Sequence, residues 1–172
     1  MSPCYVCHPL NAYDDEYGNV VLDVCRYESM MAQDHNGPFR DSLSTLDRWT
    51  VNPKTATVSE QRIDDSYQEF PRCHPGLNSK PYRYGYAVGV AAGDPSPEFP
   101  AIYKHDMKTG ERSQHDLGKG RHSGEPYFIP REGATAEDDG FLMSFVYDAE
   151  RNASELLVLD AQNLSAPLAQ VM

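Results

Sequence analysis

The chain has 172 residues, 40% hydrophobic and 24% charged, which is enough for a real core and too apolar for disorder. A formal net charge of −11 argues against nucleic acid, which needs a clustered basic face, and against an anionic membrane surface. Thirteen Pro, twelve Gly and eleven Tyr favour turns and strands over long helices, and no stretch reaches the ~20 apolar residues of a membrane span.

The residues Met1 to Tyr5 lack the basic and apolar regions of a secretory signal. Four cysteines without such a signal predict free thiols and a cytoplasmic location.

The first apolar run, Val20 to Tyr27, follows Gly18-Asn19 and predicts a buried strand entered from a turn. Glu28 to Asp41 reads as a loop with at most one helical turn. Leu43 to Val51 alternates as a strand, Asn52 to Thr55 turns, and Thr57 to Ile63 returns. Tyr82 to Val90, aromatic and β-branched, is a further strand. A second hairpin runs Ala101 to Asp106, turns over Met107 to Gly110, and returns over Glu111 to Leu117. Glu125 to Pro130 follows as another strand. A third hairpin runs Phe141 to Tyr147, turns over Asp148 to Asn152, and returns over Glu155 to Asp160.

These hairpins turn roughly forty to fifty residues apart, the range of propeller blades. The layout is all-β. A β-propeller needs at least about four blades, and this length holds about three, so the pattern is that of a partial propeller.

The chemistry concentrates in Cys4-Tyr5-Val6-Cys7-His8-Pro9-Leu10-Asn11-Ala12-Tyr13-Asp14. Three readings compete for it. Cys4-x-x-Cys7-His8 matches the local pattern of covalent haem attachment, in which two thioethers hold the macrocycle and the His is axial. That would make a small electron-transfer protein. Cys4 and Cys7 could instead supply half of a zinc site, which needs four ligands. The nearest other pair, Cys73-His74, is adjacent in sequence and poorly placed to ligate one ion. The third reading makes His8 one ligand of a non-haem iron centre.

That third reading rests on a resemblance. His8-Pro9-Leu10-Asn11-Ala12-Tyr13-Asp14 resembles the His-x-x-Asn-Ala-aromatic-acid motif of the carotenoid cleavage oxygenases, a family that includes stilbene-cleaving enzymes. Further motifs follow in the family's order. They are Glu69-Phe70-Pro71-Arg72, Lys80-Pro81-Tyr82-Arg83-Tyr84-Gly85-Tyr86, Gly124-Glu125-Pro126, and the hairpin carrying Glu137 to Gly140 and Ser154 to Ala161. Any one alone is weak; the ordered series spans nearly the whole chain.

The resemblance implies a seven-bladed propeller, with residues 1–172 forming part of that single domain. It implies Fe(II) held by four His, three of them hydrogen-bonded to Glu residues. It implies a reaction of O2 with a conjugated alkene, apocarotenoid or stilbene-like, giving two carbonyl products. His8 matches the third iron ligand, Glu69 its partner, and Glu125 the partner of the fourth His. The other three ligands have no counterpart between Met1 and Met172, so the isolated chain is expected to be catalytically silent. A truncated, non-catalytic β-domain is the alternative reading.

The remaining histidines carry blander expectations. His35 reads as surface, His74 as a turn residue, and His105 and His115 as surface neighbours across a hairpin. His122, in a Gly-rich run that lacks the phosphate-loop spacing, is a candidate for a channel rim. The acidic run Glu137 to Asp139 reads as a solvated loop, and Cys25 as a packed thiol.

Overall fold

In the computed structural model, residues 2–31, 41–92 and 97–172 are described. The expected loop from Glu28 leaves the strand region as far as Met31, and its residues 32–40, with His35, lie outside the described residues.

Three antiparallel sheets follow one another along the chain. The first contains β1 (Tyr5–Asp14), β2 (Val20–Tyr27), β3 (Thr45–Asn52) and β4 (Thr57–Asp64), paired in that order. The second contains β5 (Gln68–Cys73), β6 (Tyr84–Ala91), β7 (Glu98–Asp106) and β8 (Arg112–Asp116), again in order. The third contains β9 (Arg121–Ser123), β10 (Tyr127–Pro130), β11 (Gly140–Asp148), β12 (Ala153–Asp160) and β13 (Asn163–Val171). Here β10 to β13 pair in sequence, and β9 also pairs with β11. These are three blades of a propeller.

The hairpins share one turn chemistry. Asn52, Asp106 and Asp148 each accept two backbone N–H groups from the turn that follows, at 3.0–3.3 Å. A side-chain oxygen in this role mimics a backbone turn and reverses the chain without a long loop. The turns then close on a left-handed residue, Ala56, Gly110 or Asn152.

Packing explains the strand compositions. β6 reads Tyr-Gly-Tyr-Ala-Val-Gly-Val-Ala and is buried almost throughout, because its sheet has a neighbour on each face. One core lies between the second and third sheets, where Tyr86 stacks on Phe128 at 5.6 Å beside Ile102 and Leu142. A smaller one joins the first and second sheets through Leu10, Leu46 and Cys73. Leu10 approaches Gly85 so closely that an added Cβ would sit 2.7 Å from its methyl. β4, by contrast, is an exposed edge with Glu60 and Arg62, charges that discourage strand addition.

Several residues of the opening motifs turn out to be clasps between sheets. Asn11 is buried; its Nδ2 donates to the carbonyls of Leu77 and Lys80, and its Oδ1 accepts from Ser79 N–H, all at 3.0 Å. Asn11→Leu is therefore expected to cost about 3 kcal/mol, at ~1 kcal/mol for each of the three bonds. Urea unfolding would measure it, and a loss well under half that size would mean that water replaces the side chain.

The acidic run departs from the solvated loop expected of it. Glu137 accepts the backbone N–H groups of Arg83 and Tyr84, and Asp138 is buried against Lys104 at 2.6 Å. Both carboxylates bond to residues of the second sheet or its approach, which the sequence alone does not reveal. Among the described residues no helix is long and apolar enough to cross a membrane.

Candidate metal centre

One edge strand of each sheet meets the next: β1 lies against β5, and β5 touches β10. Each of these inner strands is irregular at a candidate residue. β1 loses register with β2 between Val6 and Pro9 and again before Asn11, and His8 falls in that stretch. β5 loses register with β6 between Glu69 and Arg72, where Phe70 takes a φ of +52°. Between β9 and β10, Ser123 pairs with Val146 and Tyr127 with Met143, leaving one extra residue in the gap that holds Glu125. Bulges of this kind bend the strand and re-aim a side chain out of the pleat. Pro9, Pro71 and Pro126, each within two residues of its candidate, lack the N–H that a regular ladder would use.

The expected contact between His8 and Glu69 is present. His8 Nδ1 lies 2.7 Å from Glu69 Oε2, across 61 positions of sequence. The Glu69 side chain is 2% exposed and that of His8 47%. Glu69 Oε2 also accepts the Phe70 N–H at 2.7 Å. That bond helps to hold Phe70 in the left-handed region, which a bulky residue rarely adopts. An ionised carboxylate only accepts, so Nδ1 of His8 donates, and in the neutral ring Nε2 then keeps its lone pair. The ring rests 5.4 Å from that of Phe70.

Behind Glu69 lies Tyr27, fully buried. Burial foremost pushes its phenol well above the usual range, and the nearby Glu69 charge adds to the shift. Tyr27 does not stand out in the sequence, since it is one more residue of a β-rich chain.

Glu125 sits apart from this pair. Arg72 Nε reaches its Oε1 at 2.7 Å, and both side chains are partly exposed. Arg72 lies three residues beyond Glu69 on the same strand, so one inner strand touches both candidate carboxylates.

The thiols form no second centre. Cys4 is half-buried, Cys7 exposed, Cys25 and Cys73 buried, and all four are free. Cys7 Sγ contacts Met30 Sδ at 3.8 Å, while burial, and then Glu69, pushes the Cys7 thiol up. Cys73 faces Asn78 Oδ1 at 3.4 Å, and His74 accepts the Gly76 N–H at 2.9 Å, so neither is turned to an ion. Among the described residues no group of three or more His, Cys, Asp or Glu could hold a metal. The haem-like pattern lies at the start of an extended strand, where three residues advance about 10 Å.

Two histidines correct the surface expectation. His105 is 3% exposed and His115 8%. His105 Nε2 lies 2.7 Å from Gln68 Oε1, and His115 Nδ1 lies 2.8 Å from the Leu164 carbonyl. Their hairpin is sandwiched between sheets, so both of its faces find partners. His74 is the turn residue expected, ahead of a 3₁₀ turn at Pro75–Leu77. His122 accepts the Phe99 N–H at 3.3 Å.

Burial lowers the His105 pKa from 6.5 to about 4. The unfolded chain therefore takes up a proton that the folded chain refuses. His105 contributes stability above pH 6.5, and that contribution is lost as the pH falls to about 4. The expected slope approaches ~1.4 kcal/mol per pH unit within this window. His105→Gln should flatten it, which a series of melts between pH 7 and 4 would show.

A stack of blades of this kind defines a partial propeller, and its meeting strands bring an imidazole and a buried carboxylate together. The family model described as "Retinal pigment epithelial membrane protein" matches residues 1–172. A carotenoid cleavage oxygenase of Mycobacterium tuberculosis is 41% identical over 96% of this chain and 34% of its own length. An apocarotenoid-15,15'-oxygenase of Synechocystis is 37% identical over 95% of this chain and 34% of its own length. The crystal structure of a cobalt-substituted Synechocystis apocarotenoid oxygenase superposes with a TM-score of 0.86 at 34% identity, covering 97% of this chain and 36% of that one. The chain belongs to the family of the retinal pigment epithelial membrane protein and the carotenoid cleavage oxygenases. It spans about a third of the length of these curated relatives.

Proposed function

We propose that this chain supplies one histidine ligand and its orienting carboxylate to the Fe(II) centre of an oxygenase that cleaves a conjugated C=C bond. The observation that carries the proposal is the 2.7 Å bond from His8 Nδ1 to the buried Glu69. A ligating imidazole normally donates its other N–H to a carboxylate, which fixes the tautomer and raises ligand basicity. Half-exposed and bonded to the carboxylate through Nδ1, His8 has its Nε2 available for that role in the neutral ring. Iron(II) bound there would activate O2, whose two atoms end in the two carbonyl products.

The residues of this chain orient and shield. Glu69 holds the ring, Phe70 covers one side of it, and Arg72 fixes Glu125 beside the same strand. Glu125 is proposed to orient a further histidine that lies outside this chain. The substrate is proposed to be an apolar polyene such as an apocarotenoid, in keeping with the named activities of the relatives, with a stilbene-like alkene as the other member of the class. With His8 as the one matched iron ligand and no cluster of three ligand-type side chains among the described residues, the isolated chain is proposed to be silent. The four free thiols suit a reducing compartment such as the cytoplasm.

The test is a graft. This chain would replace the matching third of the Synechocystis relative, and apocarotenoid cleavage would be assayed. An active graft whose activity is lost in His8→Ala supports the proposal. A folded graft that is equally active with His8→Ala would refute it.

A further inference from the structure

The residue before Glu69 is fastened on every side. Gln68 is fully buried. Its N–H donates to the Ser44 carbonyl at 2.9 Å, and its own carbonyl accepts from the Ser44 hydroxyl. Its Oε1 lies 2.7 Å from His105 Nε2, and its Nε2 donates to the Ser66 carbonyl at 3.1 Å. The amide oxygen can only accept, so the His105 proton is on Nε2. Asp64 Oδ2 lies 3.7 Å from His105 Nδ1, and Arg112 reaches the same carboxylate at 3.5 Å.

This anchoring stands next to a place where the sheet offers none. Glu69 is the last residue of β5 in register, opposite Val88; directly after it β5 leaves the register of β6, and Phe70 turns to positive φ. Beyond that point the ladder does not dictate where a side chain points. Glu69 is thus held by regular pairing on one side only, the side of Gln68. We propose that Gln68, gripped by Ser44 and His105, is a positioning residue that aims the Glu69 carboxylate at Nδ1 of His8.

The inference rests on the reading of His8 and Glu69 as a ligand and its orienting partner. Its consequence is chemical. If Glu69 swings away, nothing holds the His8 proton on Nδ1, and the ring relaxes toward the tautomer protonated on Nε2. That tautomer has no lone pair on the nitrogen offered to a metal. A merely structural role for Gln68 would cost stability and leave the tautomer unchanged.

The experiment is ¹⁵N NMR of the imidazoles in the metal-free, full 172-residue chain, with His8 assigned through His8→Gln. In the unmodified chain His8 should carry its proton on Nδ1. In Gln68→Met, of similar volume, and in His105→Ala, the Nδ1–H population should fall at least about twofold. His105→Gln, which keeps a donor near the position of Nε2, should restore it. Ser44→Ala removes only a hydroxyl, should shift the population in the same direction, and carries the test if the other variants do not fold. Folded Gln68→Met and Ser44→Ala proteins that melt earlier with an unchanged His8 tautomer overturn this inference alone. Protonation on Nε2 in the unmodified chain overturns the reading of the pair, and this inference with it.

Discussion

Arg48→Ala is expected to destabilise the chain by about 3–5 kcal/mol, because it strands a buried charge. Asp23 is fully buried in the middle of β2 and pairs in register with Arg48 on β3. Arg48 holds both carboxylate oxygens, Nε to Oδ1 at 2.7 Å and Nη2 to Oδ2 at 2.9 Å. Tyr82, arriving from the approach to the second sheet, donates its hydroxyl to Oδ2 at 2.6 Å. Burial and then the Asp23 charge push the Tyr82 phenol well up, so it remains a donor. Without Arg48 one hydroxyl is left to support the carboxylate. Replacing all three together, as Asp23→Leu, Arg48→Met and Tyr82→Phe, should recover most of the loss, since the interior then holds no unpaired polar group. Chemical denaturation of the single and triple variants would decide it. A cost under ~1 kcal/mol for Arg48→Ala would show that water reaches Asp23.

The second large effect concerns metal affinity. Glu69→Ala is expected to weaken metal binding at His8 by about 10–100-fold, the usual penalty for losing the partner of a ligating histidine. The His8 side chain remains in place on β1, so the loss would come from its tautomer and orientation. Titration with Co(II), followed by paramagnetic shifts of the His8 ring protons, would measure the change. Equal affinity in the two proteins would mean that Glu69 does not orient the ring.

Much of the fold can be read from the residues, for a physical reason. β2 spans Val20–Tyr27 as its apolar run predicts, and the three hairpins fall within a few residues of their expected bounds. These strands alternate regularly, and their turns begin with Asn or Asp. The inner strands β1 and β5, and the stretch that joins β9 to β10, are less legible. Bulges and prolines break their period of two, and those breaks are where His8, Glu69 and Glu125 lie. A proline beside each candidate is the signal that would have marked them. β13 also escapes notice, being poor in β-branched and aromatic residues, interrupted by Pro167 and largely exposed.

The candidate site was legible only through the order of the motifs. No spacing rule links His8 to a carboxylate 61 positions away. Motif membership also did not separate chemistry from scaffolding. Asn11 and Tyr82 stand in the same motifs and serve as clasps between sheets. His105 shows the converse error. On one hairpin its alternation suggests a surface face, and only the neighbouring sheets reveal that the face is covered.

In the proposed function His8, oriented by Glu69, offers Nε2 to a metal ion. The most direct measurement adds Fe(II) to the full chain without oxygen and maps paramagnetic broadening residue by residue. The expected broadening centres on the His8 ring and disappears in His8→Gln. Broadening centred on the acidic turn at Asp14 to Glu16, with the His8 signals untouched, would contradict the account.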